Sequence, residues 1–159
     1  MPDVFSKAKR SDVMSRIRSR GNRDTELALI RVFREHRITG WRRHIEVRVK
    51  KQSTSPRPSP QSGEGVALRV RPDFVFPKLR MAVFVDGCFW HWCPRHCNQP
   101  ANNRAFWKGK LTANKRRDLL VTRTLQRAGW RVLRIWEHEL ARKNGMRLLR
   151  RIQQSWQAH

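Results

Sequence analysis

Residues 86–97 read DGCFWHWCPRHC, with three cysteines, two histidines and an aspartate set among Phe89, Trp90 and Trp92. Cys88, Cys93 and His96 form a C-x4-C-x2-H pattern, within the spacings by which thiolates and imidazoles ligate zinc. Cys97 is a spare neighbour, so it remains an alternative to His96. A tetrahedral site needs a fourth ligand, and His138 in WEHEL is the best distant candidate. Four side-chain ligands leave no open position, so such a zinc would be structural. The plainer reading is a set of buried thiols and surface histidines, and the density of ligands argues against it.

Asp73 and Asp86 offer a second chemistry. RPDFVF and RMAVFVD read as two strands of a hairpin, and a turn centred on Leu79-Arg80 sets position 73 opposite position 86. Like charges across a ladder are destabilising, and a divalent cation between them reverses that sign. Two carboxylates holding Mg²⁺ at the end of a sheet are what phosphodiester hydrolysis needs: the ion polarises a phosphate oxygen and acidifies a bound water. Taken singly, Asp73 reads as a strand-end turn residue and Asp86 as a cap. His91 lies just past the strand that carries Asp86, where an imidazole can transfer a proton at neutral pH; alone it would be an ordinary polar residue.

These groups need elements to hold them. Asp24-Thr25 is a capping pair that opens a helix over ELALIRVFREH, with Leu27, Leu29, Ile30 and Phe33 on its apolar face and Gly40 beyond its end. Val13, Met14 and Ile17 are spaced for a short amphipathic helix before it. WRRHIEV reads as a strand. Residues 50–65, KKQSTSPRPSPQSGEG, lack apolar periodicity and read as a flexible surface insertion. Val83, Phe84 and Val85 form the unbroken apolar run of a strand buried on both faces. A long basic helix follows, with Leu111, Leu119, Leu120 and Leu125 inward and Gly129 at its cap. WRVLRIWE is a further strand, and the tail after Asn144 a last helix. The expectation is a single domain over 1–159, a small mixed sheet with helices on both sides.

The 159 residues carry 36 Lys+Arg against 12 Asp+Glu, a formal net charge of +24. That imbalance points to a polyanionic partner, nucleic acid first, although ribosomal and membrane-surface roles fit charge alone equally well. No secretory h-region follows Met1 and no run of 18 apolar residues occurs, so the chain is expected to be cytoplasmic and its three Cys metal ligands or thiols rather than disulfides.

RSDVMSRIRSR, DTELAL, RPDFVF, AVFVDGCFWHWCPRH, FWKGKL, the N-x2-RD run from Asn114 to Asp118 and GWRVLRIWEHEL together resemble the very-short-patch mismatch repair endonucleases. These bacterial enzymes nick DNA at T:G mismatches left by deamination of 5-methylcytosine. The resemblance runs from near residue 10 to about residue 140. It implies an α/β/α fold similar to type II restriction endonucleases, with Asp73 the main Mg²⁺ ligand. Asp86 would be a second catalytic position that ligates metal or activates water, His91 the proton-transfer histidine, and Glu26 a helical glutamate near the site. Cys88, Cys93, His96 and His138 would bind the structural zinc. Phe89 and Trp90 would wedge between base pairs with Trp107 as their partner, although core packing competes for Trp107. The implied partners are mismatched double-stranded DNA and a MutL-type repair protein, and the implied acting unit is a monomer.

Two rival readings share the charge. One is a zinc-stabilised DNA-binding module made non-catalytic by the insertion, and the other a structural RNA-binding protein. Only the nuclease needs Asp73 and Asp86 as metal ligands.

Overall fold

The computed structural model of the protein describes residues 25–49, 68–96 and 103–157. The expected helix around Val13, Met14 and Ile17, the 50–65 insertion and Cys97 lie outside the described residues.

Helix α1 (Glu26–Glu35) buries Leu29, Ile30, Val32 and Phe33 on one face, as the spacing predicts. Thr25 makes no side-chain capping bond, so the expected cap is not formed by that residue. The chain then forms β1 (Arg42–Arg43) and β2 (Val47–Val49), not the single strand expected over WRRHIEV. His44 breaks it with a left-handed φ of 51°, which no ladder residue adopts. β3 (Leu68–Val70), not expected from the sequence, pairs antiparallel with β2 in a two-stranded ribbon.

The main sheet has four strands in the order β1, β4 (Phe74–Phe76), β5 (Met81–Asp86) and β6 (Arg131–Trp136). β1/β4 and β4/β5 are antiparallel, and β5/β6 is parallel. The long helix α2 (Arg104–Arg127) makes the crossover between the parallel strands, and α3 (Gly145–Gln157) closes the chain. The sheet is therefore mixed, as expected.

Alternation along the strands divides the core in two. Phe74, Phe76, Met81, Val83, Leu133 and Ile135 pack with α1 and α3 on one face. Val75, Ala82, Phe84 and Val132 pack on the other with Leu125 of α2 and the valines of the β2–β3 ribbon. The run Val83-Phe84-Val85 is apolar throughout because helices cover both faces.

Two expectations need correction. The hairpin register pairs Phe74 with Val83 and Phe76 with Met81, so Asp73 stands level with Phe84 rather than Asp86. Pro77 opens a single 3-10 turn over Pro77–Leu79, and Arg80, at φ 47°, returns its N–H to the Pro77 carbonyl. The turn is thus centred one residue earlier than expected, and the register moves by two. Asp86 stays on the same face, diagonal to Asp73. In α2, Leu111 and Leu125 are fully buried, but Leu119 and Leu120 are about half exposed, at 49% and 59%. Nine residues at about 100° each put Leu120 half a turn from Leu111. The inward stripe runs instead through Trp107, Leu111, Asp118 and Leu125.

Candidate active site and metal centre

β5 and β6 run parallel, and both end at the same edge of the molecule. Their register pairs Asp86 with Trp136, so Cys88 and His138 each stand two residues past the last paired position. The loop after β5 is drawn against β6, where the Cys88 N–H donates to Glu137 Oε2 at 3.0 Å, and it folds back on itself through Cys93 N–H to the Cys88 carbonyl at 2.9 Å.

The result is a four-residue cluster. One ligand atom from each of Cys88, Cys93, His96 and His138 lies within 4.8 Å of the others. Cys88 Sγ is 3.3 Å from His138 Nδ1, and Cys93 Sγ is 3.7 Å from Nδ1 of both His96 and His138. A tetrahedron with metal–ligand bonds of roughly 2.0–2.3 Å has edges of about 3.3–3.8 Å. Burial, followed by the neighbouring Cys93 thiol, pushes the Cys88 thiol up to about 11 against the pull of His138. Burial and the His96 charge lower His138. Both shifts describe ligands crowded together without a cation, and a bound metal ion reverses the thiol shift outright. The cluster can therefore hold a metal ion.

Asp73 and Asp86 lie on the α2 face of the same sheet edge, and Glu26 approaches from the start of α1. Asp73 Oδ2 accepts the Val85 N–H at 2.8 Å. Burial raises its pKa to about 6, and the nearby charges of Glu26 and Asp86 add to the rise. Asp73 has no Lys or Arg ion pair among the described residues. Glu26, only 4% exposed at the start of α1, pairs with Arg43 at 2.5 Å and with His44 Nε2 at 3.2 Å. Asp86 is 3% exposed and is gripped by Arg134, whose Nε reaches Oδ2 and Nη2 reaches Oδ1, each at 2.6 Å.

His91 Nδ1 lies 2.6 Å from Asp118 Oδ2 and 3.6 Å from Asp86 Oδ1. Against the upward push of burial, the His91 hydrogen bond and the Arg134 charge hold the Asp118 carboxyl below its usual range. A second tie, Asn114 Nδ2 to the Trp90 carbonyl at 2.9 Å, fixes α2 to the loop. Phe89, Trp90 and Trp107 form one aromatic cluster, with ring centroids 5.1–6.2 Å apart. Trp107 is its buried floor at 8% exposure, and Phe89 and Trp90 are half-buried above it. Phe106, 58% exposed, adds an outer ring 5.4 Å from Trp107.

The residues expected at the two sites are thus brought into neighbouring clusters. Asp118, Arg134 and His44 were not expected among them. Asp118 is the one acid in a basic helix and lies on its inward stripe, seven residues from both Leu111 and Leu125. Arg134 is a charge flanked by Val132, Leu133, Ile135 and Trp136 inside a strand whose other charge, Arg131, stands at its start. Nothing in the sequence marks His44, whose place depends on a backbone break.

The chain also aligns with known proteins. The sequence profile of the family described as DNA mismatch endonuclease Vsr matches residues 61–99, the hairpin and ligand loop. The type II nicking enzyme V.NaeI of Lentzea aerocolonigenes is 54% identical over 77 residues, covering 48% of this chain and 45% of that protein. The DNA mismatch endonuclease Vsr of Escherichia coli (strain K12) is 42% identical over 86 residues, 48% of this chain and 54% of its own length. These two matches span about half the length of the relatives concerned. The type II nicking enzyme V.NmeAIP of Neisseria meningitidis serogroup A is 31% identical over 146 residues, 90% of this chain and 87% of that protein. With nearly its whole length aligned in that way and its hairpin and ligand loop matching the profile, the chain belongs to the DNA mismatch endonuclease Vsr family.

Proposed function

We propose that this chain is a magnesium-dependent DNA endonuclease that nicks one strand of a duplex beside the T of a T:G mismatch arising from 5-methylcytosine deamination. The observation that carries this reading is the buried carboxylate of Asp73, raised to about 6 by burial and by the charges of Glu26 and Asp86, with Asp86 in turn 3.6 Å from the His91 of the His91–Asp118 pair.

Asp73 has no cationic side chain of its own among the described residues, so a divalent ion fits its charge, with Asp86 the second carboxylate of the site. When bound, Mg²⁺ supplies charge neutralisation at a phosphate oxygen and a more acidic water. The remaining work falls to side chains. Asp118 accepts from His91 Nδ1, which fixes the imidazole so that its other nitrogen can carry a proton to or from the reacting phosphodiester. The α/β/α layering supports a likeness to restriction endonucleases.

The Cys88, Cys93, His96 and His138 cluster is read as a structural zinc site, since its donors are two thiols and two imidazoles with none left to the solvent side of the reaction. It stiffens the loop that carries Phe89 and Trp90, so their rings can enter the base stack at a mispair over the floor of Trp107. Unstacking costs a few kcal/mol per step and least beside a mismatch. The basic surface supplies non-specific duplex affinity that falls steeply with salt. A nick needs one active site, so the acting unit is a single chain, with a MutL-type repair protein as its accessory partner. No helix among the described residues is long and apolar enough to cross a membrane.

The test compares binding and cleavage of a T:G duplex with its matched counterpart, in Mg²⁺ or EDTA, for the wild type and Asp73→Ala. The reading predicts mismatch-selective binding by both proteins and Mg²⁺-dependent cleavage by the wild type alone. Selective binding without cleavage by either would instead support a non-catalytic DNA-binding module.

A further inference from the structure

We propose that Arg134 is a positioning residue of the hydrolytic site, holding Asp86 and Asp118 in one guanidinium fork and through Asp118 fixing the His91 imidazole. The inference rests on the nuclease reading for its effect on rate, but its structural part can be tested without DNA.

The parallel register is the starting point. Arg134 of β6 pairs with Phe84 of β5, so its side chain rises on the face that carries Phe84 and Asp86. The guanidinium carbon sits 5.0 Å from the centre of the Phe84 ring, which supports one side of its plane. Its edge then meets both carboxylates. Nε and Nη2 take the two oxygens of Asp86 at 2.6 Å each, and Nη2 also reaches Asp118 Oδ1 at 3.0 Å. The second oxygen of Asp118, Oδ2, is left to His91 Nδ1 at 2.6 Å.

Each carboxylate thus has a defined part. Asp86 anchors the arginine, the arginine sets the rotation of Asp118, and Asp118 sets the ring of His91. Without Arg134, Asp86 and Asp118 would be two acids competing for the same imidazole, since His91 Nδ1 is also 3.6 Å from Asp86 Oδ1. The arginine resolves this competition in favour of Asp118. Only a planar fork with several donors can do so; a lysine offers a point charge without the paired geometry.

The test uses the full chain and the variants Arg134→Met and Arg134→Lys. The direct readout is the ¹⁵N and ¹H spectrum of the histidine rings, with Asp118→Asn used to assign the His91 Nδ1 proton. The wild type is expected to show that proton hydrogen-bonded and protected, and Arg134→Lys to show it weakened or in exchange between two partners. Arg134→Met should lose it if it folds; if it does not, Arg134→Lys, which keeps a cation beside both carboxylates, carries the test. Single-turnover nicking should fall about 100-fold or more in Arg134→Met and Arg134→Lys, with duplex affinity in Ca²⁺ within threefold of wild type. An unchanged His91 resonance in the folded variants overturns the proposal, whatever the nicking rates. A wild type that never nicks would refute the nuclease reading while leaving the His91 spectra to decide the role of Arg134.

Discussion

Arg134 Nε and Nη2 each lie 2.6 Å from a different oxygen of Asp86, a bidentate pair whose carboxylate is 3% exposed. A pair so enclosed is sensitive to losing one member, because a lone buried charge remains. Arg134→Met should therefore destabilise the fold by about 3–5 kcal/mol, whereas Asp86→Asn/Arg134→Met should cost far less than the two single changes added together. Urea unfolding of the three variants closes this cycle, and additive losses would show that the pair is not energetically coupled.

Asp73 should behave in the opposite sense. Its folded-state pKa of about 6 lies above the ordinary 3.8, so the folded chain binds that proton more tightly than the unfolded chain. The stability this confers is fully present below about pH 4 and is lost as pH rises through about 6. At neutral pH the metal-free protein then carries a penalty of at most about 3 kcal/mol. Asp73→Asn should be more stable than wild type at pH 7.5, equal to it near pH 4, and inactive as a nickase. Thermal melts across that range check the first two expectations. Added Mg²⁺ should stabilise the wild type and leave the variant unmoved.

Much of this arrangement was legible in the sequence, because the relevant signals were local. The pattern of Cys88, Cys93 and His96 picked out three members of the Cys/His cluster, and His138 followed from standing just past the last strand. The apolar run at Val83-Phe84-Val85 marked the central strand. What escaped was set by longer geometry. The hairpin register depended on how Pro77 and Arg80 shaped one turn. Leu119 and Leu120 were read as core from their chemistry, although the helical period turns Leu120 away from Leu111. The same period would have placed Asp118 inward. Arg134 faces inward for a reason that appears only when β6 is laid beside β5, since its partners lie 48 and 16 residues away.

Removing the metal from the Cys/His cluster should loosen the loop after β5. If the ion is present at about a thousand times its dissociation constant, it contributes about 4 kcal/mol, or roughly 8–16 °C in Tm for a chain of this size. A strong chelator, or Cys93→Ser, should lower Tm by that order. Metal analysis of the purified protein should give one zinc per wild-type chain and less than one for Cys93→Ser. A melting temperature unchanged by complete zinc removal would deny the cluster its structural part.

The aromatic cluster separates mismatch preference from general affinity. Trp90→Ala removes a half-buried ring above Trp107 but leaves the basic surface intact. It should reduce the preference for a T:G duplex over its matched counterpart by about 10-fold or more, since stacking contacts contribute about 1–3 kcal/mol each. Binding to matched duplex and its dependence on salt should stay near wild type. Equal loss on both duplexes would place Trp90 in general DNA contact instead.

The most direct measurement labels the two strands of one T:G duplex with different dyes and follows both under single-turnover conditions in Mg²⁺. Shortening of the T-bearing strand alone, at one position beside the mismatch and absent with Asp73→Asn, is the predicted result. Cleavage of both strands, cleavage indifferent to the mismatch, or full activity in Asp73→Asn would contradict it.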